Sequence, residues 1–356
     1  MSRRHLLGLA LLVALAGCAQ PPPPPPGTTA LPPAPVVAAT GLQLGFIVPT
    51  LDDSVIAAQI ARAQEVATAK GFELVPLVAD DEATLRGALA TLAGRGAKGA
   101  VVELNARLPG TDLLAEARKL DLKLIALGQP LVDAAGQPLA GVPWNGPNES
   151  TVGGTSGKML TDRYHLQGWD PATTGAIALS SDAPESAERL AAARFGLLDG
   201  GFPSDRLFEA AADDAAGGAA AMTTLASSHG EVRTWLVYAD RDTAAIGAVR
   251  TLEARGLGNE EIRAVAVGGE PGLAELGRPA DSGFVAVVLP TPPSAAAEAM
   301  TDLEHWVTAA GRPAAQRLHS GLLVTRDARD EIMRAEGLLP EPAPPAPPAS
   351  ADSKTP

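Results

Sequence analysis

Residues 153–158 (GGTSGK) combine glycines, hydroxyl side chains and a lysine, the residue types that bind phosphate groups or supply a nucleophile. A phosphate-binding loop needs a glycine where Val152 stands and a hydroxyl residue where Met159 stands. A serine nucleophile elbow around Ser156 needs a closing glycine, and Lys158 occupies that position. We therefore expect this segment to pack at the start of a helix, and we expect no nucleotide site there.

The histidines are scattered along the chain without the spacing of a metal-ligand set. They are His5, His165, His229, His305 and His319. Cys18 is the only cysteine, so a transition-metal cage is not expected either. No serine, histidine and aspartate combine into a triad by their spacing. The sequence therefore predicts a protein that is not an enzyme and has no metal or cofactor.

Cys18 ends the tetrapeptide Leu-Ala-Gly-Cys, which follows a short basic start and an apolar segment at 6–16. That segment has the length of a secretory signal and is too short to span a bilayer permanently. The cleavage site resembles the lipobox of bacterial lipoproteins, in which the new N-terminal cysteine carries several acyl chains that anchor stably. The residue after the cysteine is Ala19 and not an aspartate. In this respect the chain resembles lipoproteins that are sorted to the outer membrane. The alternative is an ordinary secretory signal with an accidental cysteine.

Charge and composition restrict the partners of the exported chain. The formal net charge of −13 argues against nucleic acid and against docking of the folded surface on anionic lipid. With Cys18 lipidated no disulfide can form, so stability depends on core burial. Because only 3% of residues are aromatic, that core must consist of Ala, Leu, Val and Gly.

Proline-rich segments bound the part of the chain that is expected to fold. Residues 18–40, with prolines at 21–26, are typical of an extended tether. Residues 339–356 have a similar composition and are expected to be disordered. The folded part is therefore predicted at 41–338, behind a signal peptide at 1–17.

Short apolar runs alternate with amphipathic stretches through this folded part, which predicts strands alternating with helices. The predicted strands are 42–48, 73–78, 99–103, 123–127, 174–179, 206–211, 234–239 and 264–267. The predicted helices are 54–70, 82–95, 113–119, 185–199, 218–228 and 244–255. Repeated strand–helix units predict parallel sheets covered by helices on both faces. The rhythm restarts after 142–149, which predicts two α/β lobes with a ligand cleft between them, at the carboxyl ends of the strands.

Several short motifs in this order resemble type I periplasmic binding proteins, and in detail the arabinose-binding proteins of bacterial sugar uptake. They are LGFIV at 44–48, KGFE at 70–73, GAKG at 96–99, KLIA at 123–126, GFP at 201–203, EVRTWL at 231–236, LPTP at 289–292 and VTRD at 324–327. The resemblance covers nearly all of the folded part. It implies two Rossmann-like lobes joined by three hinge crossovers that close over a ligand.

The crossovers implied by this family fall near 144–149, 290–294 and 319–324. The N-terminal lobe would then comprise 41–146 plus 291–320, and the C-terminal lobe 147–290 plus 321–338. Trp144 lies at the first crossover, where it either leans into the cleft or packs under the hinge.

The family's sugar-binding positions are largely substituted here. Of a lysine, a glutamate and a tryptophan after the first strand, only a carboxylate is retained, as Asp53. Gly128 and Gln129 stand where two aspartates are usual, and Arg241 replaces an asparagine. The polar residues that the resemblance leaves for ligand binding are Asp53, Gln129, Asn145, Asn148, Arg189, Asp240 and Arg241.

A sugar hydroxyl buried without a partner costs about 1–3 kcal/mol, so arabinose itself is not the expected ligand. Arginine forks suit carboxylates and phosphates, and Arg189 and Arg241 therefore suggest an acidic small molecule. The alternative is that Arg241 pairs with Asp240 on the surface and that Arg189 lies on a solvated helix face.

Three functions remain open for a monomeric, lipid-anchored protein on the periplasmic side of the envelope. One is a solute receptor that delivers a sugar-like or acidic molecule to an ABC permease. Another is a sensor whose closed lobes dock on a membrane receptor. The last is an envelope protein of the same fold that has lost its ligand. Closure on a ligand would separate the first two from the third.

Overall fold

The computed structural model describes residues 41–279, 282–309 and 311–340. The predicted signal peptide, the anchor at Cys18, the tether at 18–40 and the tail beyond 340 lie outside these residues. Within the described ranges no helix is long and apolar enough to cross a membrane. The same ranges hold no group of three or more histidine, aspartate or glutamate side chains that could bind a metal ion.

The first half of the described chain builds one lobe. Its elements are β1 (Gln43–Val48), α1 (Ser54–Lys70), β2 (Glu73–Val78), α2 (Glu82–Gly94), β3 (Gly99–Leu104), β4 (Leu108–Pro109), α3 (Thr111–Lys119), β5 (Lys123–Gly128), β6 (Leu131–Val132) and β7 (Trp144–Pro147). The short strands β4 and β6 pair in parallel as a separate ribbon.

The chain then passes into a second lobe. Its elements are α4 (Glu149–Gln167), β8 (Thr174–Ser180), α5 (Ser186–Asp199), β9 (Leu207–Ala211), α6 (Ala215–Ser228), β10 (Thr234–Ala239), α7 (Asp242–Ala254), β11 (Ile262–Val267), α8 (Glu270–Leu276) and β12 (Phe284–Leu289). Single 3-10 turns lie at Ser204–Arg206 and Asn259–Glu261. The last elements are α9 (Pro293–Thr308), β13 (Gln316–His319), β14 (Leu322–Thr325) and α10 (Arg329–Ala335).

Two six-stranded sheets organise these elements. The first has the order β13-β7-β5-β3-β1-β2, and all its pairs are parallel. The second has the order β14-β12-β11-β10-β8-β9, and only β14 runs antiparallel. The chain crosses between the sheets after β7, after β12 and after β13. The predicted fold class, two Rossmann-like lobes joined by three crossovers, is confirmed.

Both faces of the central strands in each sheet are buried, as expected for parallel strands. In β1, Ile47 packs with the leucines of α2 and α3, whereas Phe46 packs on the opposite face with α1 and α9. Few aromatic side chains fill these layers, so some helices must approach closely. A Cβ on Gly157 of α4 would lie 2.1 Å from the carbonyl oxygen of Ala193 in α5, a distance that only glycine permits.

Polar residues at the helix ends fix where α1 and α4 begin. Asp53 accepts hydrogen bonds from the first amides of α1, which then ends at Gly71 in the left-handed conformation. Asn148 accepts from the amide of Thr151 at the start of α4 in the same way. Both caps stand at points where the chain leaves a strand of the first sheet, which places the helix starts beside the cleft.

Candidate functional site

A cavity of about 330 Å³ lies between the two lobes, at the carboxyl ends of their strands. The first lobe contributes residues at or after the ends of β1, β3 and β5, and the second lobe contributes residues at or after the ends of β8, β10 and β11. Residues from the crossover after β12 complete the lining. This is the ligand position that parallel α/β sheets favour.

In the first lobe, Gln59 of α1 and Glu103 of β3 form a buried pair, with 1% and 5% of their surfaces exposed. The Gln59 amide nitrogen donates to Glu103 Oε1 over 3.3 Å and to the Thr291 carbonyl over 3.1 Å. Gln59 Oε1 and Glu103 Oε2 have no hydrogen-bond partner in the described structure. Burial, with a smaller contribution from the charge of Asp53, raises the pKa of Glu103 to about 8. Glu103 is therefore a neutral acid at pH 7.

Asp53 lies nearby on the same wall but has a different role. Its Oδ1 accepts from the backbone amides of Val55 and Ile56 at 2.7 and 3.1 Å. The carboxylate is thus a helix cap that lines the cavity.

A buried chain of side chains joins the lobes at the first crossover. Arg189 Nε donates to Glu149 Oε2 over 2.6 Å, and the amide nitrogen of Gln129 donates to Glu149 Oε1 over 3.0 Å. Glu149 is the first residue of α4, immediately after the crossover. Arg189 is therefore neutralised by a protein carboxylate before any ligand is considered.

In the second lobe, Asp240 accepts from the hydroxyl of Ser181 at 2.7 Å and from its backbone amide at 3.1 Å. Arg241 lies 3.7 Å from Glu185 Oε1, and its side chain is 39% exposed. Glu185 is buried, and its Oε2 has no partner among the described residues.

Asp242 holds the loop that follows β11. Its Oδ2 accepts from the backbone amides of Gly269 and Gly272 at 2.9 and 2.8 Å. A Cβ on Gly268 would lie 2.2 Å from the carboxyl carbon of Asp242, so this close approach requires glycine. The loop leads to Glu270, whose Oε2 accepts from the backbone amide of Ser54 in the opposite lobe over 2.9 Å.

Five of the seven residues proposed from the sequence line the cavity: Asp53, Gln129, Arg189, Asp240 and Arg241. Asn145 and Asn148 do not line it. Asn148 is the cap of α4, and the amide of Asn145 points to the Ala295 carbonyl at 3.4 Å. Sequence reasoning therefore placed two structural amides of the crossover in the site.

Sequence reasoning also missed lining residues of the cavity. Those with polar side chains are Thr50, Gln59, Glu103, Asn105, Glu185, Asp242, Glu270 and Thr291. One signal was available, because Glu103 is the only charged residue in the apolar run of β3. A carboxylate at the carboxyl end of a buried parallel strand faces the ligand position of this fold.

The aromatic residue at the first crossover packs under the hinge. The indole nitrogen of Trp144 donates to the Gly128 carbonyl over 2.8 Å, and the residue is absent from the cavity lining. At the third crossover, both ring nitrogens of His319 lack partners among the described residues. Burial lowers the pKa of His319 to about 4, so its ring is neutral at pH 7.

The charges of the cavity do not favour an acidic ligand. Besides the neutral Glu103, its lining contains the carboxyl groups of Asp53, Glu185, Asp240, Asp242 and Glu270, against two guanidinium groups. Arg189 is paired with Glu149, and Arg241 lies at the half-exposed edge beside Glu185. An anion in this cavity would meet an excess of negative charge. The two arginines counted alone gave a misleading picture because their partners are distant in sequence.

Comparison with known proteins gives an independent view. Residues 41–302 match the family model described as periplasmic binding proteins and sugar binding domain of the LacI family. The L-arabinose-binding periplasmic protein of Escherichia coli K12 is 28% identical over 305 residues, which cover 84% of this chain and 92% of that protein. The ABC transporter L-arabinose-binding periplasmic protein of Azospirillum brasilense is 28% identical over 300 residues, covering 83% and 89%.

Solved structures share the fold at lower identity. A periplasmic ribose ABC transporter protein from Conexibacter woesei matches with a TM-score of 0.67 at 15% identity, over 84% of this chain and 96% of that one. The binding component of the arabinose ABC transporter from Shewanella sp. ANA-3, solved with arabinofuranose, matches with a TM-score of 0.63 at 16% identity, over 83% and 97%.

Proposed function

This chain belongs to the family of periplasmic binding proteins and LacI-family sugar-binding domains, and we propose that it is a periplasmic solute-binding protein for a sugar-like molecule. The observation that carries the proposal is the cavity between the lobes, which is lined by polar side chains from both of them. Such a cavity binds a small molecule by hinge closure. No catalytic step is proposed for it.

We propose a polyhydroxylated ligand in place of the acidic molecule suggested by the sequence. Carboxyl groups from both lobes and amide groups from the first lobe line the cavity, and these groups pair with hydroxyls. Aliphatic side chains, among them Val55, Val267 and Leu289, provide the apolar surface. The substituted arabinose-contacting positions argue for a ligand other than arabinose.

We propose delivery to an ABC permease as the purpose of binding. The curated relative from Azospirillum brasilense carries that role in its name. The open cavity supports a ligand-binding role over a structural envelope role. A sensor that docks on a membrane receptor would use the same closure, and a neighbouring gene for a permease or an ATPase would favour transport.

A thermal-shift screen against sugars, sugar acids and polyols tests ligand binding. A ligand at about a hundredfold its dissociation constant stabilises by about 2.7 kcal/mol. Small-angle scattering should show a smaller radius of gyration with the same ligand. Asn105→Trp, which fills the cavity mouth, should abolish both effects, whereas Asn259→Trp outside the lining should keep them. A library without any hit in either assay contradicts the proposal.

We also propose that Cys18 carries the lipid anchor of a monomeric protein in the outer membrane. The support is the sequence Leu-Ala-Gly-Cys followed by Ala19. Palmitate labelling of the wild type and of Cys18→Ser tests it. Incorporation should depend on Cys18, and the labelled protein should fractionate with the outer membrane. Equal labelling of both forms, or none, contradicts the anchor.

A further inference from the structure

Three buried oxygen atoms without a hydrogen-bond partner in the described structure belong to residues that line the cavity. They are Oε1 of Gln59, Oε2 of Glu103 and Oε2 of Glu185. The residues that carry them are 1%, 5% and 3% exposed. A buried polar atom without a partner costs free energy, so atoms of this kind at the wall of a cavity point to a ligand that completes them.

These oxygen atoms require a ligand group that donates hydrogen bonds. An amide oxygen accepts hydrogen bonds, and Glu103, which is a neutral acid in the empty cavity, only accepts once a cation has displaced its proton. Gln59 Oε1 and Glu103 Oε2 belong to one bonded pair, because the Gln59 amide nitrogen already holds Glu103 Oε1. A ligand group with several N–H or O–H donors would satisfy both atoms together.

The negative charge near Gln59 and Glu103 favours a positively charged hydrogen-bond donor over a neutral one. Asp53 adds to the negative potential at Glu103, and it already raises the pKa of that carboxyl. No arginine, lysine or histidine of the described chain makes an ion pair with Glu103. An ammonium group supplies three donors and a positive charge, whereas a hydroxyl supplies one donor and no charge.

We propose that the cavity selects sugars or polyols that carry a protonated amine, and that the ammonium group lies against Glu103 and Gln59. This inference rests on the proposed sugar-binding function and adds the class of ligand. In the empty protein Glu103 is neutral at pH 7, as a buried carboxyl without a cation must be. When the ammonium arrives, the Glu103 proton leaves to solvent and the carboxylate pairs with the new charge.

The test compares sugars that differ only by replacement of one hydroxyl with an amine. Suitable pairs are glucose and glucosamine, galactose and galactosamine, and mannose and mannosamine. Titration calorimetry at pH 6.5 keeps the amines protonated. In at least one pair the amino sugar should bind about tenfold or more tightly than its hydroxyl counterpart. Repeating that titration in buffers of different ionisation enthalpy should show close to one proton released per ligand bound.

Glu103→Gln supplies the matched variant. It is isosteric with the neutral acid, and its oxygen can still accept from the Gln59 amide, so it should fold. It cannot ionise, and it should therefore lose the preference for the amine, so that the amino sugar and its hydroxyl counterpart bind the variant with similar affinity. Glu116→Gln on the outer helix α3, where Glu116 pairs with Lys119, is the control and should keep the preference.

The outcomes separate this inference from the proposed function. A hydroxyl sugar that binds as tightly as its amine in every pair overturns the ammonium site while sugar binding stands. An amine preference that survives Glu103→Gln overturns the assignment to Glu103. Failure of every sugar and amino sugar to bind or to close the lobes overturns the inference and the proposed function together.

Discussion

The two walls of the cleft use similar carboxyl groups in opposite ways. In the second lobe, Asp240 and Asp242 accept several short hydrogen bonds from backbone amides and a serine hydroxyl. In the first lobe, Glu103 has one long contact to Gln59 and one oxygen without a partner in the described structure. Carboxylates with complete bonding hold loops in place, whereas those with open valences are available to a ligand. The contrast assigns stability to Asp240 and Asp242 of the second wall and selectivity to Glu103 of the first, although Glu185 of the second wall also has an oxygen without a partner among the described residues.

The largest effect should come from Arg189→Leu on the second wall. The change leaves the buried carboxylate of Glu149 without its 2.6 Å partner. An uncompensated buried charge costs about 3–5 kcal/mol in the free energy of unfolding. Urea denaturation of both proteins measures the loss. Adding Glu149→Gln should recover much of it, because the remaining amide carries no charge. A single variant as stable as the wild type would contradict a structural role for this pair.

Glu103 of the first wall should make the free energy of unfolding depend on pH. The pKa of Glu103 is about 8 in the folded chain, above its ordinary value of 4.5. The folded state therefore binds more protons than the unfolded state between these values, and stability falls as pH rises through that window. The contribution is on the order of 3 kcal/mol between pH 5 and pH 7.5.

Glu103→Gln should remove this dependence. Urea midpoints for the variant and the wild type should agree near pH 5 and diverge towards pH 8, with the variant the more stable. Glu116→Gln should follow the wild type throughout. Parallel stability curves for Glu103→Gln and the wild type would show that Glu103 is already ionised at neutral pH.

The overall fold could be predicted from the sequence, because local patterns determine most of it. Helix α1 begins and ends as predicted, at Ser54 and Lys70, since Asp53 caps its start and Gly71 ends it. The ribbon of β4 and β6 was missed, because two-residue strands carry no periodicity. The other predicted elements match the observed ones to within a few residues. The local patterns did not predict β7, β12, β13, β14, α8, α9 and α10, and α4 begins at Glu149, ahead of the helix start expected at 153–158.

The site could be predicted only in part, because its chemistry depends on partners far apart in sequence. Arg189 finds Glu149 40 residues away, and Gln59 finds Glu103 44 residues away. Because these pairs are not visible in the sequence, Arg189 and Arg241 suggested an acidic ligand. Asn148 was assigned to the ligand because its capping bond to Thr151 is not distinguishable from sequence alone.

Asp242→Ala should test whether the carboxyl groups of the second wall stabilise the fold, with a smaller expected loss than Arg189→Leu. The variant leaves the amides of Gly269 and Gly272 without their acceptor, and it should lose about 2–3 kcal/mol of unfolding free energy. Asp53→Ala in the first wall removes a helix cap and should lose about 1 kcal/mol. Chemical denaturation compares the two. A larger loss for Asp53→Ala would invert the assignment of stability to the second wall.

The smallest effect should come from an exposed hydrogen bond that joins the two walls across the cleft. Glu270 of the second lobe accepts from the backbone amide of Ser54 at the start of α1, so the bond exists only while the lobes are close. The side chain is exposed, and one such bond contributes about 1 kcal/mol or less. Glu270→Ala should shift the balance between open and closed lobes by up to about fivefold towards open, with little change in unfolding. Scattering measures the shift, and Glu116→Ala on α3 is the control, since Glu116 pairs with Lys119 of the same helix and lies outside the cavity lining. A Glu270 variant that matches this control in scattering would place the energy of closure elsewhere, in the buried chain formed by Gln129, Glu149 and Arg189.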